Sequence, residues 1–261
     1  MAKGRPLLEV KGLTKHFGGL TAVNALDLSV EKEEIVGLIG PNGAGKTTVF
    51  NLIMGTHSPN RGKVVLKGRE ITGQKPYAIV SQGLVRSFQR TVLFSEMTVL
   101  QNILLGFHLA SETGFWKCML NGRATRTGQE RLLKRAEEIA EFMDLGQSKD
   151  QLAGNLPHGH QRMLGVAIAL ATNPELILMD EPVTGMNTEE TNRMMNKIKS
   201  IRDKGITTLV VEHDMRLVMN ICDRLCVLNF GSKIAEGPPS EICRHREVIG
   251  AYLGSDYASV C

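Results

Sequence analysis

The chain has 261 residues, of which 42% are hydrophobic and 5% aromatic, and this is enough to bury a complete α/β core. The formal net charge of +4 is spread along the chain without a block of like charge, which argues against a nucleic-acid partner. The five cysteines include no C-x-x-C pair and are odd in number, so we expect no disulfide framework and a reducing cytoplasm.

The N-terminal residues 1–6 carry two cations but are not followed by an apolar h-region, so no signal peptide is predicted. The longest apolar runs, residues 163–172 and 176–179, are shorter than the roughly 20 residues that a membrane-spanning helix needs. If the protein serves a membrane process, we expect another chain to span the membrane.

The first part of the chain is predicted to be rich in β-structure. Partial apolar alternation over residues 7–13 and 22–30 predicts two strands. A third, fully apolar strand at residues 35–39 runs into a glycine-rich loop at residues 40–48, and residues 49–54 are predicted to continue as a helix. The order of strand, glycine loop and helix is typical of a phosphate-binding loop.

The glycine loop reads GPNGAGKTT and matches the pattern G-x-x-x-x-G-K-[ST]. Its glycines permit backbone conformations in which successive N–H groups converge on phosphate oxygens, and the N-terminus of the following helix adds its dipole. Lys46 is placed to reach the β- and γ-phosphates, and the Thr47 hydroxyl to ligate Mg²⁺. We therefore predict that ATP contacts the whole loop: Gly40, Pro41, Asn42, Gly43, Ala44, Gly45, Lys46, Thr47 and Thr48.

A second part of the site is predicted far downstream, where an apolar strand at residues 176–179 is followed by Asp180 and Glu181. A carboxylate at the carboxyl edge of the sheet can hold Mg²⁺ together with Thr47, which is the role predicted for Asp180. Glu181 is predicted to polarise the attacking water as general base. Two further polar residues, Gln89 and His213, each follow a short apolar strand.

With the glycine loop, Gln89, a signature segment, the Asp180–Glu181 pair and His213 in this order, the chain resembles the ABC ATPases throughout its length. It is most similar to the LivG-type subunits of importers for branched-chain amino acids. The similarity is carried by the segments FGGLTAV (17–23), IGPNGAGKTTVFN (39–51), VRSFQ (85–89), EMTV (96–99), EHDM (212–215) and AYLG (251–254).

The resemblance implies roles for three residues outside the glycine loop. Phe17 would stack on the adenine ring, although an isolated Phe is more commonly a partly buried strand residue. Gln89 would lie near Mg²⁺ and the attacking water and assist catalysis. His213 would hydrogen-bond to the γ-phosphate and position Glu181.

The signature segment departs from the family pattern, because residues 156–162 read LPHGHQR where ABC ATPases usually carry LSGGQ. Pro157 has neither an N–H nor a hydroxyl to donate, whereas His158 or His160 can supply a donor. We expect Gly159 and His158 to contact the γ-phosphate bound to the opposite subunit. The alternative is a degenerate signature in a hetero-dimer where only one composite site hydrolyses ATP. Asn187 is a second departure, since many relatives carry Asp there.

The resemblance further implies the fold and the partners. We expect an α/β P-loop ABC ATPase core with an N-terminal antiparallel β region over residues 7–254, an inserted α-helical subdomain at about residues 90–164 and a tail at residues 255–261. Two such subunits, identical or different, would drive transmembrane permease subunits at the cytoplasmic face of the inner (plasma) membrane and serve a substrate-binding protein indirectly. Residues 112–129 would either contact the membrane subunits or form a surface hairpin.

Other functions are less consistent with the chain. A soluble ABC-type ATPase acting on nucleic acid or ribosomes would normally contain two nucleotide modules or a long coiled coil. A P-loop kinase would lack the ordered Gln89 and His213. The transported solute is left open by the sequence: branched-chain amino acids are the usual cargo of similar systems, and others move urea or amides.

Overall fold

The computed structural model describes residues 5–87, 93–109 and 124–251. Gln89, residues 112–123 of the segment considered above and the predicted tail at residues 255–261 lie outside these ranges. Within them the chain forms two β-sheets and a set of helices.

The first sheet is antiparallel, with the strand order β2-β1-β4-β5. Its strands are β1 (Leu8–Phe17), β2 (Leu20–Val30), β4 (Arg61–Leu66) and β5 (Arg69–Glu70). Pairing between β1 and β2 continues from Leu8 opposite Val30 to Phe17 opposite Leu20, so β1 is longer than the predicted strand at residues 7–13. The predicted N-terminal antiparallel β region is confirmed.

The second sheet has the strand order β10-β9-β3-β8-β7-β6. Its strands are β3 (Ile35–Ile39), β6 (Leu84–Ser87), β7 (Leu176–Asp180), β8 (Thr207–Val211), β9 (Arg224–Asn229) and β10 (Ser232–Gly237). All neighbours are parallel except β10, which is antiparallel to β9. Because both faces of β3, β7 and β8 are buried, these strands read as continuous apolar runs.

The described helices are α1 (Lys46–Ile53), α2 (Pro76–Val80), α3 (Val99–Leu109), α4 (Ala124–Phe142), α5 (His158–Ala171), α6 (Thr188–Asp203), α7 (Met215–Ile221), α8 (Pro239–Ile242) and α9 (Arg246–Ala251). Helices α3, α4 and α5 follow β6 and precede β7 in the sequence, and they pack on one another. Helix α5 begins at His158, inside the signature segment, and includes the apolar run expected to be helical at residues 163–170. Among the described residues, no helix is long and apolar enough to cross a membrane.

The core lies on both faces of the second sheet. Ile35 and Ile39 of β3 belong to a cluster with the buried residues of α5 and α6, whereas Val36 and Leu38 belong to a cluster with β1, β2 and α1. The sheet is therefore covered by helices on one face and by the first sheet with α1 on the other. This arrangement confirms the predicted ABC ATPase fold and leaves the carboxyl ends of the parallel strands to build a site.

The sulfur-containing residues serve mainly in packing. Cys222 and Cys226 are buried free thiols, and burial raises the pKa of the Cys226 thiol to about 12. Methionines fill part of the core, since Met194 and Met215 are buried and three others pack against the same cluster: Met186, Met195 and Met219. Cys243 is buried as well.

Candidate functional site

The glycine loop connects β3 to α1 at the carboxyl edge of the second sheet. Helix α1 begins at Lys46, three residues before the predicted start, so Lys46, Thr47 and Thr48 form its first turn. The backbone N–H groups of a first turn have no partner within the helix and are available to an anion. Gly45 precedes the helix with φ = 102°, and a side chain there would collide with the carbonyl of Ala22.

Lys46 is the buried cation of this loop, with 8% of the residue exposed. Its Nζ donates hydrogen bonds to the carbonyl oxygens of Gly40 at 2.6 Å and Pro41 at 2.9 Å. An ammonium group has three hydrogens, so one donor remains for a ligand. Burial lowers the pKa of Lys46, and the charges of Glu181 and Asp180 partly offset this effect.

An open cavity of about 390 Å³ lies against the glycine loop. Its floor is the loop itself from Asn42 to Thr48, and Glu181 borders it. The remaining lining residues come from the β1–β2 region and from the turn between β9 and β10: Phe17, Leu20, Thr21, Ala22 and Phe230. The cavity therefore combines a polar, N–H-rich floor with an apolar rim.

Phe17 is the last residue of β1 and is 42% exposed. The Nζ of Lys15 lies 5.1 Å from the centroid of its ring, and the His57 ring meets it edge-on with centroids 5.5 Å apart. Phe17 is thus held at the rim of the cavity and is not packed into the core.

Asp180 ends β7 and is almost completely buried, with 1% of its side chain exposed. Its Oδ2 accepts a hydrogen bond from the guanidinium of Arg86 on β6, and Arg86 also donates to Oδ1 of Asn51 on α1 at 2.7 Å. The second oxygen of Asp180, Oδ1, is buried without a hydrogen-bond partner. The sequence did not single out Arg86 or Asn51, because a polar residue on a short strand or helix has no distinctive local pattern.

Glu181 follows Asp180 and adopts a left-handed backbone with φ = 47°, which is uncommon for a residue other than glycine. Its N–H donates to the carbonyl of Val211 at 2.8 Å, and its Oε2 accepts from the Thr184 hydroxyl at 3.2 Å. His213 is 58% exposed, and its Nδ1 lies 3.7 Å from Oε1 of Glu181, close but beyond hydrogen-bond distance. The structure thus brings the predicted pair together.

Glu212 connects the two loops that carry Glu181 and His213. The residue is fully buried, and its carboxylate accepts N–H hydrogen bonds from Val183 at 3.2 Å, His213 at 3.1 Å and Asp214 at 3.4 Å. Burial raises the pKa of Glu212, and the three backbone donors partly counteract this. The sequence pattern gives Glu212 no role beyond membership of the EHDM segment. The only local indication of its function is that it directly precedes His213.

The signature segment lies apart from the glycine loop, since none of its residues lines the cavity described above. Pro157 is the N-cap of α5, His158 is exposed and Gly159 is buried. A Cβ on Gly185 would lie 3.0 Å from Cε1 of His158, so the loop that contains Asn187 contacts the signature segment of the same chain. The structure therefore does not bring Gly159 and His158 together with the glycine loop within one subunit.

Asn187 caps helix α6. Its side chain accepts from the N–H of Glu190 at 2.9 Å, and its own N–H donates to the Glu190 carboxylate at 3.0 Å, which completes a capping box. An amide oxygen caps a helix as well as a carboxylate does, so the departure from Asp at this position keeps the local structure.

Comparison with known proteins gives a consistent result. Residues 23–184 match the ABC transporter family, and residues 232–258 match the family described as branched-chain amino acid ATP-binding cassette transporter. The chain is 44% identical over 251 residues to the high-affinity branched-chain amino acid transport ATP-binding protein LivG of Salmonella typhimurium, covering 96% of this chain and 98% of the relative. It is 41% identical over the same length to BraF of Pseudomonas aeruginosa, a protein with the same description.

A solved structure supports the same conclusion. The ADP conformation of MJ1267, an ATP-binding cassette of an ABC transporter, has a TM-score of 0.85 and 32% identity, with 97% of this chain and 100% of that chain covered. Fold and site define an ATP-binding cassette with a phosphate loop. The chain belongs to the ABC transporter family, as an ATP-binding subunit. The predictions of the family and of an ATPase coupled to transport are confirmed.

Proposed function

We propose that the chain is the ATP-hydrolysing subunit of an importer for branched-chain amino acids or related small polar solutes. The observation that carries the proposal is the match of residues 232–258 to the branched-chain amino acid transporter family, because these residues lie outside residues 23–184, which match the broader ABC transporter family. The names of the relatives from Salmonella typhimurium and Pseudomonas aeruginosa agree with this assignment.

The test is reconstitution with candidate membrane subunits and a candidate substrate-binding protein from the same organism. In proteoliposomes we expect leucine, isoleucine or valine to stimulate ATP hydrolysis and to be transported, whereas urea and short amides do neither. Stimulation by urea or amides alone would exclude branched-chain amino acids as the cargo and leave the related small polar solutes. Recovery of the chain with ribosomes or nucleic acid, and without a membrane partner, would reject the transporter role itself.

In this function the glycine loop holds the phosphates of ATP. The free N–H groups of the first turn of α1 and the remaining donor of Lys46 would bind the β- and γ-phosphates, and Phe17 at the rim would stack on the adenine ring. The support is geometric: Lys46, the loop and Phe17 line one cavity.

The residues present fit a Mg²⁺ ion beside the nucleotide. Asp180 has a buried carboxylate oxygen without a hydrogen-bond partner, and Thr47 lines the cavity. The described residues contain no cluster of three His, Cys, Asp or Glu side chains, so the ion would depend on phosphate oxygens and water for its other ligands. Mg²⁺ would neutralise charge on the phosphates; Thr47 and Asp180 would hold it, with Gln89 as a further ligand.

Glu181 would act as general base on the attacking water. Glu181 lines the cavity. Its Oε2 accepts a hydrogen bond from the Thr184 hydroxyl, and its Oε1 lies 3.7 Å from Nδ1 of His213. His213 would also hydrogen-bond to the γ-phosphate, and Gln89 would help to position the water.

The second half of each ATP site would come from another subunit. Because Gly159 and His158 are remote from the glycine loop of their own chain, they would contact the γ-phosphate bound to a partner in a dimer. Substituting both residues (Gly159→Leu with His158→Ala) should then lower ATP turnover at least tenfold while a single chain still binds ADP normally. Unchanged turnover would contradict a contact in trans.

The chain would lie at the cytoplasmic face of the inner membrane, peripheral to its permease subunits. Residues 7–254 would form a single domain with a helical subdomain inserted at about residues 90–164. This subdomain, from α3 to the start of α5, would face the permease subunits.

The lowered pKa of Lys46 leads to a test of its contact with phosphate. Phosphates next to Nζ favour the charged form and raise the pKa again, so ADP binding should take up a proton at pH values between the free and bound pKa. The affinity for ADP should therefore fall as the pH rises toward 10.5, the ordinary pKa of lysine. Calorimetry at one alkaline pH below 10.5, in two buffers of different ionisation enthalpy, measures the uptake.

The matched control is Lys46→Arg, because a guanidinium stays charged over this range. The arginine variant should show no proton uptake at the same pH. Equal uptake by both proteins would mean that another group titrates and that Lys46 is not the residue in contact with the phosphates.

A further inference from the structure

The turn between β9 and β10 carries an aromatic side chain that is almost completely exposed. Phe230 has 85% of its surface exposed, more than any other large hydrophobic residue in the described part of the chain. It lines the cavity of the glycine loop together with Phe17 and Leu20. A scattered apolar residue on a surface needs no explanation, but three at the rim of one polar cavity indicate a ligand with an apolar part.

The backbone of Phe230 is unusual for its residue type. Its φ of 46° lies in the left-handed region, which Asn or Gly occupies at lower cost than a bulky aromatic residue. The next residue, Gly231, also has a positive φ, so this is a tight hairpin turn in which Asn-Gly would be favoured. The ring at position 230 is therefore not explained by the requirements of the turn.

The turn is tied firmly to the glycine loop. The N–H of Gly231 donates to the carbonyl of Ala44 at 3.1 Å, and the carbonyl of Gly231 accepts from the N–H of Asn24 at 2.8 Å. The Asn24 side chain donates to the hydroxyl of Ser232 at 3.3 Å. These bonds, made by the two residues that follow Phe230, fix the turn relative to the glycine loop and to β2, so the ring stays at the rim of the cavity.

We propose that Phe230 forms a second aromatic wall of the nucleobase subsite, in addition to Phe17. A planar base is the part of a nucleotide that aromatic ring faces recognise, while the N–H-rich floor of the same cavity suits the phosphates. Lys15 lies over the Phe17 ring and so reduces the area of that ring that a base can contact. A second aromatic ring would add contact area for the base. The inference rests on the proposed nucleotide site and adds the contact that holds the base.

The decisive variant is Phe230→Asn, because Asn fits the left-handed backbone better than Phe and removes only the ring. By calorimetry we expect its affinity for ADP to fall about tenfold, while its affinity for pyrophosphate, which lacks the base, stays unchanged. Phe230→Trp should keep the affinity for ADP, and its additional fluorescence should be quenched by ADP but not by pyrophosphate.

Tyr77→Ala is the matched control: Tyr77 is another exposed aromatic residue, 66% exposed, but does not line the cavity, so ADP affinity should not change. Wild-type ADP affinity in Phe230→Asn would overturn the inference. An equal loss for ADP and pyrophosphate would also overturn it, because the turn would then support the phosphate loop and not the base. If the wild-type protein bound neither ligand, the proposed nucleotide site itself would be wrong.

Discussion

Glu181→Gln should leave ATP bound and slow its hydrolysis by about 10²–10⁴-fold, the contribution of a positioned general base. Gln has the shape of Glu and can still accept the hydrogen bond from Thr184, so the loop should keep its conformation. The amide has no basicity, and the attacking water then loses its proton acceptor. Phosphate release at saturating ATP measures the rate, and equilibrium binding measures the affinity.

The control for this substitution is Glu189→Gln on α6, a carboxylate whose side chain is 74% exposed and pairs with Arg193. It should hydrolyse ATP at the wild-type rate, since a surface pair contributes little. A Glu181→Gln rate within about threefold of wild type would refute the general-base role. A loss of ATP binding together with the rate would instead show that Glu181 holds the structure of the site.

Arg86→Met should lower the free energy of unfolding by about 3–5 kcal/mol, because it breaks a buried ion pair by removing one partner. The side chain of Asp180 is 1% exposed and that of Arg86 is 16% exposed, so the pair is shielded from water. Removing the guanidinium leaves a buried carboxylate without its counter-charge and Asn51 without its donor. Urea denaturation of the isolated chain measures the change.

Adding Asp180→Asn to Arg86→Met should recover part of this stability, because the double variant no longer buries an unpaired charge. Arg193→Met provides the surface comparison and should cost less than about 1 kcal/mol. The explanation fails if Arg86→Met unfolds within about 1 kcal/mol of the wild type. It also fails if the double variant is less stable than Arg86→Met alone.

The local features of the site could be predicted from the sequence because each depends on neighbouring residues. The predicted strand at Ile35–Ile39 has the observed ends. A short apolar run that ends at a glycine-rich turn is typical of a buried strand, so the pattern marks both ends. The start of α1 was placed three residues too late. Its first turn, Lys46 to Thr48, faces the cavity and carries no apolar periodicity, so a pattern search detects the helix only from Val49 onward.

Other features depend on which distant strands become neighbours. Arg86 and Asp180 are 94 residues apart and meet only because β6 pairs with β7, with Arg86 opposite Leu178. Phe230 reaches the cavity because β9 pairs with β3 and its turn bonds to the glycine loop. On its own, each of these residues looks like an ordinary strand or turn residue.

The sequence by itself therefore determined the position of the glycine loop, the order of the motifs and the family, because each of these depends on residues that are adjacent in the chain. The tertiary structure alone decided the partner of Asp180, the buried Glu212 that links the loops of Glu181 and His213, and the aromatic rim around the loop. The physical reason is the strand order of the second sheet, which sets long-range contacts that no local pattern encodes.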